Sequence, residues 1–367
     1  MAIFSGGLFS KRRELESFFV NSYGNNQTRG IFTFTIDINS GELFFKNHFK
    51  TPTDPIYSFN YGRFVCTTYK NRTGTKSDGG ICSYASTAMT LALVSRLSNE
   101  GKTYMHASTN GDSTTATKVF GADYYNGEVM VGLINKKKLV KKLNVHKFVG
   151  GSVHPTRQLQ PHPHHVGMTP DQQLYVVCLG LDKVFVFDVS EDGQLIEDES
   201  ASFTLKPGNG PRSMEFSEDQ KTAYVVNELA NTIDVYSYAN KKFELIQTID
   251  TYNKEVEEES LASQLIITQD QQFVIVGNRG HDCITLFKRL EDGSLEYRDE
   301  IETASGPRTM EIFRDRFIVV GCQRGGLIEV IELSRQKDGL LFETNHSYGI
   351  NEPVCIRKFN DITERKN

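Results

Sequence analysis

Lys221-Thr-Ala-Tyr-Val-Val-Asn-Glu-Leu-Ala-Asn-Thr-Ile-Asp-Val-Tyr236 reads as a hairpin: a short run of β-formers, a polar turn, and a second run that alternates apolar and polar residues. The same pattern stands upstream at Gln173-Leu-Tyr-Val-Val-Cys-Leu-Gly-Leu-Asp-Lys-Val-Phe-Val-Phe187 and downstream at Gln272-Phe-Val-Ile-Val-Gly-Asn-Arg-Gly-His-Asp-Cys-Ile-Thr-Leu-Phe287. A fourth copy occupies residues 316–330. Weaker copies run back toward the N-terminus, at 118–131, at 63–69 with 79–84, and at 18–23 with 30–34. Aligning one position per hairpin gives Ser22, Thr68, Asp123, Cys178, Asn227, Asn278 and Cys322, with gaps of 46, 55, 55, 49, 51 and 44 residues.

Seven hairpins at a period of about 50 residues predict an all-β chain, a seven-bladed β-propeller of four-stranded antiparallel blades. Around the first hairpin quoted, an inner strand is expected at 213–217 and an outer one at 243–249; further inner strands are expected at 165–169, 264–268 and 309–313. The first repeat has no inner strand before it, whereas the chain carries a surplus one at 353–359. That strand is predicted to complete blade one and close the ring, which removes the unpaired sheet edge. One propeller domain is expected over residues 1–367, with 1–16 as an N-terminal extension and repeats from about 17 to 360. Two segments read as lying outside the repeat. Residues 135–160 include Lys136-Lys-Lys-Leu-Val-Lys-Lys-Leu143, an edge strand blunted by lysines, and 254–259 is an exposed acidic loop.

Bulk composition narrows the partners. A net charge of -5 and a pI near 6.0 give no reason to expect nucleic acid or an anionic membrane, so an anionic ligand has to be met by a local basic site. The six cysteines are spread through apolar runs without a CxxC pair, which suits reduced thiols in the cytoplasm. An apolar patch precedes Lys11-Arg12-Arg13, the reverse of a secretory signal, and no apolar run approaches the roughly 18 residues of a membrane span. A soluble cytoplasmic monomer or homodimer is expected.

Inner strands of a propeller face the central channel, so equivalent positions form rings. The start of each inner strand gives Val354, Ile56, Met105, His164, Arg212, Ser263 and Arg308. The residue after each aligned hairpin position gives Tyr23, Tyr69, Tyr124, Leu179, Glu228, Arg279 and Gln323. A purely structural repeat would place similar residues around each ring. Instead, blades one to three supply apolar and tyrosine positions, and blades four to seven supply His164, Arg212, Glu228, Arg279, Arg308 and Gln323. This arrangement fits a pocket for a small polar anion; the competing reading is that these charges pair off and hold the blades together. Glu228, if buried, needs Arg279 or Arg212 as its partner.

The stretch Gln160-Pro-His-Pro-His-His-Val-Gly-Met-Thr-Pro-Asp171 invites a metal reading. Adjacent residues on a strand point to opposite faces, however, and no cysteine or acidic partner lies nearby in sequence, so neither metal nor cofactor is expected. His164 alone falls on the channel ring; His162 and His165 read as its neighbours.

That stretch, with Gly208-Asn-Gly-Pro-Arg-Ser-Met214, Asn227-Glu-Leu229 and Gly277-Asn-Arg-Gly-His-Asp-Cys-Ile284, resembles the seven-bladed lactonase family, which includes the propeller-type 6-phosphogluconolactonases of bacteria and the fungal carboxymuconate cyclases. The likeness covers nearly the whole chain, most strongly 157–359. Tyr23-Gly-Asn25 and Arg157-Gln158 agree with it too. Departures are Cys178, where the family commonly has Asp; Cys322, where it has Asn; and Ser213, where His usually follows Gly-Pro-Arg. The resemblance implies a metal-independent site in the channel built from His164, Arg212, Glu228 and Arg279. It implies a small anionic sugar lactone as substrate and hydrolysis of 6-phospho-D-glucono-1,5-lactone, a pentose phosphate step. His164 would be the base, Arg212 or Arg279 the oxyanion donor, and Glu228 the group that orients them. Arg308 would hold the phosphate, with Gln323, Tyr124, Tyr69, Tyr23 and His162 as further substrate contacts. Two other readings stay open: a lactonising cyclase on another anionic substrate, and a non-catalytic binding platform, which would carry its distinctive residues on outer faces and loops.

Overall fold

The computed structural model describes residues 13–359 apart from 26, 52, 63, 71–77, 88, 112–115, 136–137, 254–258 and 337–338. Seven antiparallel sheets of four strands stand around a channel, in blades two to seven with the strands in sequence order from the axis outward; blade four adds a short fifth piece, Phe203–Thr204. Blade one is closed from the far end of the chain. Its innermost strand is Pro353–Lys358, paired to Leu15–Ser22, then Gly30–Asp37 and Leu43–Lys50.

The period-two pattern of the hairpins explains the packing. Alternate residues of each middle strand face the two flanking blades, so every blade interface has its own apolar core. Between blades five and six, for example, Tyr224, Val226 and Val235 meet Leu265, Val274 and Phe287. Between blades seven and one, Phe313, Phe317 and Val319 meet Phe18, Phe34 and Ile356.

Innermost strands have one unpaired edge, and the fold covers it from the side. The backbone N–H of Ile356 donates to Thr309 Oγ1 (3.0 Å), that of Met310 to Gln264 Oε1 (2.9 Å), that of Ser58 to Cys355 Sγ (3.4 Å) and that of Val166 to His106 Nδ1 (3.4 Å). In each case a side chain from one blade's inner strand satisfies an N–H of the next, as a buried donor requires.

Those strands are not regular. In blade four Pro163 pairs with Cys178 and His165 with Val177, so His164 is an extra residue in a β-bulge. Arg212, Arg308, Met105 and Val354 are extra in the same way in blades five, seven, three and one. In blade six Ser263 and Gln264 together oppose Gly277, and in blade two Ile56 and Tyr57 oppose Thr68. A bulge re-aims a side chain out of the ladder, and here it recurs in all seven blades at the residues expected on the first channel ring.

The inner strands of blades four to seven begin two or three residues earlier than their patterns suggested, as at Pro163–Met168 and Pro211–Phe216. The lysine-rich segment is the edge strand expected, but it belongs to the repeat and not outside it: Lys138–Lys147 is the outermost strand of blade three, with Lys141 and Lys142 exposed. Its strand propensity and one-sided burial serve as the blade's rim. Residues 1–12, 136–137, 254–258 and 360–367 of the expected extension, lysine run, acidic loop and C-terminus lie outside the described residues.

Candidate active site

Gly-Pro-Arg occurs twice for a reason seen in the turns. The Asp182 carboxylate accepts from the N–H groups of Gly208 (2.8 Å) and Gly210 (2.7 Å), and Asp282 accepts from Gly280 (2.9 Å) and Gly306 (2.7 Å). Gly210 and Gly306 have φ of 59° and 75°, which a side chain resists. Each turn thus pins the start of the next blade's inner strand, where proline leads into the bulged Arg212 or Arg308.

Three guanidiniums gather around one carboxylate, and a fourth, Arg308, stands near them. Glu228 follows the second strand of blade five and is buried. Its Oε2 lies 2.9 Å from Arg279 Nη2 and 3.2 Å from Arg212 Nε, and its Oε1 accepts from Arg157 Nη2. The Arg212 Nε contact is an ion pair whose N–H is not aligned as a hydrogen bond. Arg212 Nη1 donates to Ser263 O (3.0 Å), and Arg279 donates through Nε to Leu261 O (3.3 Å) and through Nη2 to Ala262 O (3.1 Å). Arg308 donates from Nη1 to Gln323 Oε1 (3.2 Å).

Burial alone would raise the Glu228 carboxyl, but Arg279 and Arg212 outweigh it and hold it far below the usual carboxylate range. Burial, with Arg279 beside it, pushes Arg212 down from its ordinary value, yet contact with Glu228 keeps it cationic at neutral pH. One carboxylate cannot neutralise four guanidiniums, so the arc carries net positive charge inside a chain that is acidic as a whole.

His164 lines the same cavity as Arg212 and Arg308, and its ring meets Tyr124 edge to face with centroids 5.8 Å apart. Burial first, and Arg212 next, hold its imidazole neutral, well below the ordinary histidine range. The other two histidines do not join the arginines, although His165 lines the same cavity. His162 stacks on Tyr124 at 4.1 Å and shares a 2.9 Å hydrogen bond with its carbonyl, and the His165 ring packs at a tilt against His106 with centroids 3.8 Å apart.

The structure therefore brings together His164, Arg212, Glu228, Arg279, Arg308, Gln323 and Tyr124, with His162 behind Tyr124. Tyr23 stands in an apolar wall with Ile56 and Val354, against which Met105 packs. Tyr69 does not join them. It pairs with Pro55 and Gly80, the level that Ser22 holds in blade one opposite Pro353 and Gly30, so blade two is aligned one residue off. A one-residue slip reverses the facing: the Tyr69 hydroxyl bonds to Ser98 (3.0 Å) and Arg96 on the outermost strand. Lys70 takes the ring position instead, its ammonium 4.9 Å from the centre of the Tyr23 ring.

Arg157 is the residue that ring counting missed. It sits in the loop between blades three and four, donates to Tyr124 Oη (3.4 Å) as well as to Glu228, and keeps about a third of its side chain exposed (32%). The signal was its place in Arg157-Gln158, next to the histidine stretch. Of the residues that depart from the family pattern, Cys178 donates through Sγ to Pro161 O (3.0 Å) and Cys322 to Glu329 Oε1 (3.2 Å), so both act as turn fasteners away from the arginines. Ser213 lines the channel cavity.

Comparison with known proteins agrees with this architecture. The family described as lactonase, 7-bladed beta-propeller, matches residues 17–358. A 6-phosphogluconolactonase of Bacillus subtilis is 27% identical over 355 residues, 94% of this chain and 98% of that protein. Among solved structures, a periplasmic gluconolactonase of Pseudomonas aeruginosa superposes with a TM-score of 0.87 at 23% identity, covering 94% of this chain and 99% of that one. A protein from Lactobacillus plantarum gives 0.84 at 24% identity, with 94% and 99% covered.

Proposed function

This chain belongs to the seven-bladed β-propeller lactonase family, and from that premise we propose that it hydrolyses an anionic sugar lactone, 6-phospho-D-glucono-1,5-lactone being the substrate that fits best. The observation that carries this reading is a neutral histidine set among guanidiniums that one carboxylate cannot neutralise. His164 accepts a proton from water as the water attacks the lactone carbonyl, a role worth roughly 10²- to 10⁴-fold. Arg212 and Arg279 face the oxyanion that develops there. Each guanidinium has five N–H donors, more than its contacts with Glu228 and the backbone occupy. Glu228 is bound to three arginines and positions them; no hydrogen bond joins it to His164 among the described residues. Arg308, steadied by Gln323, meets the phosphate.

Collapse of the tetrahedral intermediate breaks the ring C–O bond. Of the two protons of the attacking water, one ends on the freed hydroxyl and the other is released as the product acid ionises. The six buried, unpaired thiols suit a reducing compartment, and we place the reaction in the cytoplasm.

The test is hydrolysis by the purified protein, above the spontaneous rate, of 6-phosphoglucono-1,5-lactone, glucono-1,5-lactone and a carboxymuconolactone, with and without a chelator. A preference for the phosphorylated sugar lactone that survives chelation supports the reading. Activity on the muconolactone alone, or on none of the three, removes it.

A further inference from the structure

The cavity that His164, Arg212 and Arg308 line extends along the channel to polar residues that the reaction above leaves unused. Each inner strand runs from the arc, as at Arg212 beside Glu228, toward the opposite face of the ring, as at Glu215 and the turn holding Glu218. That cavity, about 60 Å³, is lined by His164 and Arg212 of the site and also by His165, Glu215, Gln264 and Arg357. Glu215, Gln264 and Arg357 also line a groove open at the opposite face, together with Glu218, Gln269 and Glu311. These three residues are therefore the neck between cavity and solvent.

Of the neck residues Glu215 can exchange protons, and His165 stands beside it on the cavity wall. His165 is buried, its Nε2 lies 3.8 Å from Glu215 Oε1, and its Nδ1 has no hydrogen-bond partner among the described residues. Ser213 Oγ, also buried on the cavity wall, has none either. A cavity of this size with several polar walls suits water. Glu215 keeps 42% of its side-chain surface open to the channel. Facing it are His165, Tyr57, Tyr175 and Arg357, the last of which is also 4.0 Å from Glu311 and 3.2 Å from the Tyr57 hydroxyl.

The arc explains why such a route would be needed. A proton on His164 places an imidazolium beside Arg212 and Arg308, and a bound lactone covers the mouth that the arginines surround. We propose that the far end of the channel is a proton exit, by which the proton released on product ionisation passes from the cavity through His165 and Glu215 to solvent. This rests on the lactonase reading. The step moves one proton and no electrons: cavity water takes it from the product acid or His164, neutral His165 accepts it at one ring nitrogen and gives up a proton at the other, and the Glu215 carboxylate receives it and loses it to bulk water. Desolvation by the surrounding blades raises the Glu215 carboxyl to about 7 against the pull of Arg357, and holds the His165 imidazole down to about 3, so His165 only hands the proton on and Glu215 is the group that keeps it and lets it go near neutrality.

The test is steady-state hydrolysis of the lactone that the wild-type protein turns over best, at low buffer strength and again with added imidazole. Glu215→Gln, folded by circular dichroism, is expected to lose kcat about tenfold or more at unchanged KM and to regain it with imidazole. Glu215→Asp, which keeps an acid at the neck, is expected to retain most of the rate, and Glu218→Gln at the exposed rim all of it. An unchanged kcat in Glu215→Gln, or a loss that imidazole does not restore, overturns the exit while leaving the lactonase reading standing. A wild-type protein inactive on every lactone sinks both.

Discussion

The two sides of the channel share a backbone and differ in what it delivers. In blades four, five and seven the bulge presents His164, Arg212 and Arg308; in blades one and three the same bulge presents Val354 and Met105. One side is an arc of cations around Glu228, the other a wall of Tyr23, Ile56 and Val354. The repeat thus supplies position and leaves chemistry to the residue placed there, and asymmetry between equivalent positions is the mark of the site.

The largest effect expected from breaking this contrast is at its centre. His164→Ala should lose roughly 10²- to 10⁴-fold in kcat with the fold intact. Because burial lowers the His164 imidazole, the acid limb of wild-type kcat/KM should fall below the ordinary histidine value of 6.5. The sign for stability is the same: a histidine held neutral when folded takes up a proton more readily unfolded, so His106, His164 and His165 together make Tm fall as pH drops below about 6.5. A kcat/KM acid limb above 6.5 would remove His164 as the neutral base.

Next comes the arc's only counter-charge among the described residues. Glu228→Ala leaves Arg157, Arg212 and Arg279 facing one another and should cost about 3–5 kcal/mol, read as a lower denaturation midpoint, together with most of the activity. A stability loss below about 1 kcal/mol would mean that solvent already screens the cluster. Arg308→Ala should weaken the apparent affinity for a phosphorylated lactone by about 1.5–3 kcal/mol, the worth of a charged hydrogen bond, and for its unphosphorylated counterpart by much less. Equal KM changes would assign the phosphate to another cation. Smallest of all is Tyr69→Phe: loss of the bonds to Ser98 and Arg96 should cost about 1 kcal/mol of stability and leave KM untouched. A raised KM would put Tyr69 back in the channel.

The blades were legible because each hairpin carries its own periodicity and turn, and the ring positions because the bulge recurs at a constant place in the repeat. Tyr69 was misplaced because Thr67-Thr68-Tyr69-Lys70 offers no break in pattern to fix the register, and side-chain facing reverses with a single step. Arg157 escaped because its loop belongs to no repeat. Glu215 and Arg357 were within reach: three residues beyond Arg212 and Val354 on their inner strands, they form a deeper ring by the same counting. What no repeat could reveal is which arginine takes Glu228, since that is decided by side chains from different blades meeting at the axis.

Closure of blade one has a consequence for how the molecule is made. The strand Pro353–Lys358 carries Val354 and Arg357 into the channel and covers Leu15–Ser22, more than 300 residues away in sequence. Contacts so distant are slow to form, because the whole intervening chain must be gathered first. During synthesis the pocket therefore stays unfinished until that strand leaves the ribosome, and until then Leu15–Ser22 offers an open sheet edge to any neighbouring strand. The last clasp of the ring is thus both a component of the channel and the protection of the nascent chain against its own copies.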